Sequence, residues 1–166
     1  MKTHLWEKTR DLHHACEEHA VGAAMASGNP PDQWYADWLQ SLLDIHTIID
    51  VFSIEEVRRT EQLTEDLKQT IAPRAVTVAK EYAIGLKEET EIAGAKYVLL
   101  GAHLMGGEIM RRRLVDYPTK HLEWTDRKKA IQELEEIKKR EDIVEESRNC
   151  FYALLRVMDE IKGLDE

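Results

Sequence analysis

The chain has 166 residues, which is the size of one ordinary domain with a buried core. Its 23 Lys and Arg residues and 32 Asp and Glu residues give a net charge of −9. This acidic balance argues against a nucleic-acid partner or a general polyphosphate binder. Any basic surface for a partner must therefore be local.

The two cysteines and the amino-terminal residues bear on the compartment. Cys16 and Cys150 offer neither a CxxC metal motif nor a dense disulfide framework, and this favours the reducing cytoplasm. No apolar run is long enough to span a bilayer, and the opening MKTHLWEKTR lacks the apolar stretch of a signal peptide. We therefore expect a cytoplasmic protein that makes no contact with a membrane.

Apolar residues recur at steps of three and four along almost the whole chain, and Gly and Pro number only 8 and 4. This pattern predicts an all-α protein, a compact bundle of about seven helices in a single domain covering residues 1–166.

The first half of the chain contains three predicted helices and the start of a fourth. Residues 5–20 form an amphipathic helix, and residues 21–27 continue it or form a short second helix before the Gly-Asn-Pro-Pro sequence at 28–31. Residues 32–52 form a long buried helix, with their first residue, an aspartate, as the N-cap. The sequence Ser-Ile-Glu-Glu at 53–56 has capping-box spacing and predicts the start of the next element.

The second half continues the helical pattern. Pro73 should begin or kink a helix, and residues 88–114 form another that carries several glycines. The Tyr-Pro-Thr sequence at 117–119 breaks the chain. A highly charged helix then covers 125–140, with its first residue, a threonine, as cap, and the last helix covers 143–161.

Helical geometry separates the histidines of the first helix. His13 borders the apolar stripe of that helix, whereas His14 lies on its charged face. Glu17 lies one turn beyond His13 on the same side, where its carboxylate could accept the hydrogen bond that orients a metal-ligating imidazole. The same position also fits a structural histidine of the core.

A second segment with chemical character is YVLLGAHLMGGEIM at residues 97–110. Each interior glycine costs a helix roughly 1 kcal/mol relative to alanine, and Gly101, Gly106 and Gly107 fall within seven residues. Such glycines allow a kink and bring backbone close to a flat ligand or to another helix. His103 lies one turn before the glycine pair and can point toward whatever this backbone covers.

Three segments together resemble the haem oxygenase family. Residues 5–17 (LWEKTRDLHHACE) are similar to the proximal helix of that family, whose histidine binds haem iron. Residues 97–107 (YVLLGAHLMGG) are similar to its distal helix, closest to plant-type members that carry histidine where others carry aspartate. Residues 151–156 (FYALLR) are similar to the segment whose basic residues meet a haem propionate. The three occur in family order, so the resemblance covers nearly the whole chain.

The resemblance implies roles for residues on both faces of a haem. His13 is the implied ligand of the iron, with Glu17 holding its ring. On the other face, the backbone of Gly106 and Gly107 steers oxidation toward a porphyrin meso carbon, and His103 anchors the water that supplies protons. The residues implied to bind haem are His13, Glu17, Tyr97, Ala102, Gly106, Gly107, Tyr152 and Arg156, with Tyr97 and Arg156 at the propionates.

The implied reaction converts haem, O2 and external electrons to biliverdin, CO and ferrous iron, with haem as both substrate and prosthetic group. Nothing in the sequence resembles a flavin or nicotinamide site, so a redox partner must supply the electrons. Plant-type members use ferredoxin, which is acidic, and Arg111, Arg112 and Arg113 are the leading candidates for its docking surface. The acidic surface with scattered basic clusters suits a monomer or a weak dimer.

Three other functions remain open from the sequence. A haem carrier or sensor would keep the pocket without degrading haem. A di-iron oxidase would need several converging carboxylates and histidines, and the nearest spacings are Asp11-x-x-His14 and His46-x-x-x-Asp50. His46 is more simply interpreted as a buried structural histidine. A cysteine-dependent hydrolase is the weakest of the three, because neither cysteine has an evident base beside it.

Overall fold

The computed structural model describes residues 2–166, which form α-helices without a β-strand. The prediction of an all-α fold is therefore confirmed. The helices of this part of the chain are α1 (His4–Glu18), α2 (Ala20–Ser27), α3 (Asp32–Ile49), α4 (Thr60–Leu67), α5 (Thr77–Gly85), α6 (Glu89–Gly101), α7 (Gly107–Arg113), α8 (Arg127–Lys138) and α9 (Val144–Gly163).

Four short segments join these helices or interrupt them. Three are single 3-10 turns, at Asp50–Phe52, Glu55–Val57 and Lys120–Leu122. The fourth, Ala102–Gly106, is a π-helical segment that joins α6 to α7 without a break in the chain direction. We call it the π segment.

One hydrophobic core runs through the bundle, with α9 near its centre. α9 packs against α6, α1 and α5, and its Val157 and Ile161 are fully buried. Gly94 of α6 is required where α6 crosses α9, because a Cβ there would lie 2.7 Å from the backbone carbonyl carbon of Glu146. The close crossing of α6 and α9 places one side of α6 against the core.

The first helix ends at a single residue. His19 has an extended backbone, its Nδ1 accepts a hydrogen bond from the backbone N–H of Val21, and its Nε2 lies 2.7 Å from Asp159 Oδ1. The histidine therefore caps α2 and ties it to α9. Of the two predicted alternatives, the short separate second helix is the correct one.

Two predicted helix caps are each wrong by one residue. Pro31, not Asp32, occupies the N-cap of α3, and Asp126, not Thr125, caps α8 by accepting a hydrogen bond from the backbone N–H of Lys129. No capping box forms at Ser53, because its hydroxyl donates back to the carbonyl of Ile49 at the end of α3.

The helix expected at Pro73 begins later, at Thr77. The carboxylate of Glu160 on α9 accepts the backbone N–H groups of Thr77 and Val78, so a tertiary contact fixes this end. None of the helices within residues 2–166 has the length and apolar character needed to cross a membrane.

Candidate functional site

A cavity of about 520 Å³ lies among six helices, the π segment and one turn. One wall comes from α1 and α2, the opposite wall from the end of α6, the π segment and α7, and the remaining surface from α3, α9 and the turn that carries His121. Most of its lining is apolar, as in ordinary sites for organic ligands of this volume. Apolar lining residues include Val21, Met25, Trp38, Leu42, Val98, Leu99, Met105, Ile109, Met110, Phe151, Leu154 and Met158.

His13 provides an imidazole to the α1 wall. Its side chain is 40% exposed, and its Nε2 lies 2.8 Å from Glu17 Oε1, which also lines the cavity. Burial lowers the pKa of His13, and the nearby Glu17 carboxylate only partly opposes this. A neutral ring with one nitrogen held by a carboxylate keeps the other for a ligand, as metal-binding histidines do. The side chain of His14 is 60% exposed and does not line the cavity.

The opposite wall is formed by backbone at two glycines. A Cβ added to Gly101 or to Gly106 would meet no heavy atom within 4 Å, and both residues line the cavity. Gly107 differs, because a Cβ there would lie 3.2 Å from Leu122 Cδ2, so this glycine serves packing and not the cavity. Ala102 also lines the cavity between the two open glycines. The π segment gives this wall its shape, and such segments recur at functional sites.

Three buried imidazoles meet at the π segment, one of them from the segment itself. We call these residues, His46, His103 and His121, the histidine cluster. His103 is 4% exposed and lines the cavity, as does His121. The Nε2 atoms of His103 and His46 are 3.1 Å apart, and the rings of His103 and His121 are 5.8 Å apart at nearly a right angle.

Two buried carboxylates hold the cluster from outside. Asp50 Oδ1 lies 3.0 Å from His46 Nδ1, and Asp66 Oδ2 lies 2.7 Å from His121 Nδ1. Burial lowers the pKa of His121, although the hydrogen bond to Asp66 opposes this. The spacing His46-x-x-x-Asp50 on one helix face was visible in the sequence, but the contact with His103 joins residues 57 positions apart and had no signal there.

The cationic side chain at the cavity is Arg113 at the end of α7. Its Nη1 donates a hydrogen bond to the carbonyl of Ala26 on α2, which holds it across from its own helix. Arg111 and Arg112 do not line the cavity, and both pair with Glu108, at 2.9 and 3.5 Å. The arginine run therefore divides into one residue at the cavity and two on the surface.

Three residues expected to bind haem lie outside the cavity lining: Tyr97 and Arg156, expected at its propionates, and Tyr152. Tyr97 is 7% exposed within the core, whereas Tyr152 and Arg156 line a separate depression of about 310 Å³ beside α5. The helical phase of α9 explains the positions of Tyr152 and Arg156, because it turns Phe151, Leu154 and Met158 toward the cavity and these two residues away from it. The structure thus brings together His13, Glu17, Ala102, His103 and Gly106 and leaves Tyr97, Gly107, Tyr152 and Arg156 apart.

The residues considered as ligands of a di-iron site make other contacts. Asp11 accepts two hydrogen bonds from Arg148, and His46 lies between Asp50 and His103. Within residues 2–166, no three His, Cys, Asp or Glu side chains converge to hold a metal ion by themselves.

Comparison with known proteins reveals the same fold in solved haem oxygenases. The structure of haem oxygenase from Leptospira interrogans has a TM-score of 0.74 and 19% identity, covering 94% of this chain and 97% of that one. Haem oxygenase-1 of the cyanobacterium Synechocystis, solved with haem, has a TM-score of 0.75 and 17% identity, covering 96% of this chain and 91% of that one.

A third similar structure is haem oxygenase-2 of Synechocystis with haem and NO, at a TM-score of 0.79 and 21% identity, covering 96% of this chain and 84% of that one. No protein-family model and no curated protein sequence matches the chain. At these identities the likeness establishes the fold, and the chain therefore has the all-α fold of the solved haem oxygenases.

Proposed function

We propose that this protein binds haem in the cavity and cleaves it with O2 and external electrons to biliverdin, CO and ferrous iron. The observation that carries the proposal is that His13 and the glycine backbone at 101–106 line one cavity. Support also comes from the fold, because the similar structures are haem oxygenases and two of them contain haem.

The residues of the cavity fit haem, which is a broad apolar plate with two carboxylates. The apolar lining suits the macrocycle, and the open space above Gly101 and Gly106 admits a flat group against bare backbone. His13 would hold the iron from the α1 side, with Glu17 fixing its ring. Arg113 is the group that would pair with a carboxylate, in place of Tyr97 and Arg156.

Bound haem would supply the iron at which O2 is activated, and its own ring would be the substrate. The protein's part is to orient and to supply protons. Gly106 leaves room where any side chain would obstruct O2, and His103 and His121 offer ring nitrogens to water on that side. The buried side chains of Phe151 and Leu154 exclude bulk water from the rear of the cavity.

A hemin titration tests this function. The purified protein should give a Soret band with hemin, and ascorbate or ferredoxin with its reductase in air should replace that band by the absorption of biliverdin. A Soret band that persists under reduction would identify a carrier or sensor. Absence of any Soret band, with two non-haem irons per chain, would identify a di-iron oxidase.

A separate protein would supply the electrons, and the exposed Arg111 and Arg112 are the proposed docking residues for an acidic donor such as ferredoxin. Reversing both to glutamate should slow ferredoxin-driven turnover about tenfold, because exposed charges of this kind mainly govern association. Turnover with ascorbate should not change. Initial rates with each reductant provide the measurement.

The matched control reverses Lys80 and Lys87, which are exposed on or beside α5, an element that does not line the cavity. It changes the net charge equally and should leave the ferredoxin rate nearly intact. Equal slowing by both double variants, or equal slowing with both reductants, would contradict docking at Arg111 and Arg112.

A further inference from the structure

His46 does not line the cavity, yet it makes a direct contact with the cavity residue His103. We infer that the His46–Asp50 pair is a positioning device that switches His103 Nδ1 between hydrogen-bond acceptor and hydrogen-bond donor. The inference depends on the proposed function only for what occupies the cavity. It depends on the charge of Asp50, on the hydrogen bond between the rings of His46 and His103, and on the location of the positive charge.

The first step is the charge on Asp50. Its Oδ2 accepts three hydrogen bonds, from the backbone N–H of Arg59 and from the backbone N–H and hydroxyl of Thr60. Burial opposes ionisation of this carboxyl, but the contacts with His46 and Thr60 prevail and lower its pKa. An ionised carboxylate only accepts hydrogen bonds, so the proton between Asp50 and His46 belongs to His46 Nδ1.

The second step is the bond between the two rings. Their centroids are 5.3 Å apart and their planes differ by 29°, so the rings meet edge to edge with the two Nε2 atoms 3.1 Å apart. One of these nitrogens must carry a proton, because two lone pairs at this distance would repel. The other ring nitrogen of His103, Nδ1, has no partner within the described residues 2–166 and is left for the contents of the cavity.

Two proton arrangements satisfy these contacts. When His46 is neutral, its proton is on Nδ1, so His103 Nε2–H donates to His46 and His103 Nδ1 is an acceptor. When His46 is an imidazolium, its own Nε2–H donates, and neutral His103 carries its proton on Nδ1 as a donor to the cavity. Interconversion takes up one proton from water in the cavity: that proton bonds to His103 Nδ1 while the proton on His103 Nε2 passes to His46 Nε2, and release of a proton to the water reverses both transfers.

The third step is the location of the positive charge. Burial, together with His46, His121 and Arg59, keeps the pKa of His103 well below its ordinary value. The Asp50 carboxylate lies 3.0 Å from His46 Nδ1 and makes no hydrogen bond to His103, so a proton added to the two rings is placed on His46. His103 therefore stays neutral in both arrangements and changes only which nitrogen bears its proton.

The direction with pH follows from these assignments. When the pair of rings has taken up a proton, as at lower pH, His103 offers a donor to the cavity, and when the pair has released that proton His103 offers an acceptor. His121 serves as an internal contrast, because its Nδ1 is held by Asp66 and has no contact with His46 that redirects it.

Nuclear magnetic resonance of the haem-free protein labelled with 15N-histidine tests the inference, because protonated and unprotonated ring nitrogens have separate shifts. As pH falls, the His103 proton should move from Nε2 to Nδ1, and both nitrogens of His46 should then carry protons. A His103 ring that keeps one arrangement at every pH at which the protein stays folded, or that takes the positive charge itself, would overturn the inference.

Two variants sharpen this experiment. Asp50→Asn removes the negative charge beside the two rings and should lower the pH at which the His103 proton moves by about 1–3 pH units. The matched control, Asp66→Asn, changes an equally buried carboxylate on His121 and should move that midpoint much less. Equal shifts would overturn the inference. The wild-type titration decides the question even if neither variant folds, and hemin binding is scored on separate samples, so failure here leaves the proposed function standing.

Discussion

His13→Ala should lower haem turnover by more than about 100-fold. Loss of a partner that merely orients a metal-binding histidine already costs about 10- to 100-fold, and this substitution removes the ring itself. The apolar lining remains, so part of the hemin affinity should persist, with an altered Soret band. Turnover and the hemin spectrum are measured on the same preparation, and added free imidazole should restore part of the spectrum by filling the vacated space.

His14→Ala is the matched control for this variant. The residue is adjacent in sequence, but its side chain is 60% exposed and lies outside the cavity lining, so its loss should be nearly silent. An essential His14 together with a dispensable His13 would show that the wrong face of α1 has been assigned to the ligand.

Gly106→Leu should reduce turnover about 100-fold while the protein stays folded. A Cβ at this position meets nothing within 4 Å, so the leucine side chain would extend into the cavity over the site of reaction. Displacement of reacting groups by about 1 Å can cost that factor. Stability should not fall, and could rise by up to about 1 kcal/mol because leucine favours a helix over glycine. Turnover and thermal unfolding measure the two effects.

Gly85→Leu provides the comparison. Gly85 also has open space at its Cβ, but it ends α5, which does not line the cavity. This variant should retain full turnover. Full turnover in Gly106→Leu would contradict the assignment of the π segment to the wall over the ligand, and unfolding of that variant would assign Gly106 to packing.

Much of the structure can be predicted from the helical period of the sequence. This period separated His13 from His14 on α1, and the structure places one at the cavity and the other in solvent. It failed where helix starts are fixed by contacts from elsewhere, as at Thr77, whose backbone is held by Glu160 on α9. Capping rules that consider only neighbouring residues in the sequence cannot predict such contacts.

Prediction of the cavity wall formed by the π segment has a different limit. Three glycines signalled an unusual segment, but only tertiary packing distinguishes Gly106, open to the cavity, from Gly107, which faces Leu122. His121 comes from a short turn, and its place beside His103 depends on Asp66 of α4, which holds its ring and backbone. When a histidine lies outside a periodic helix, its sequence position does not indicate which way its side chain faces.

The most direct test is a crystal structure of the protein with hemin. We expect iron bonded to a ring nitrogen of His13, the porphyrin lying between α1 and the backbone of residues 101–106, and a carboxylate at Arg113. Iron held by any other residue, or hemin bound outside this cavity, would contradict this expectation.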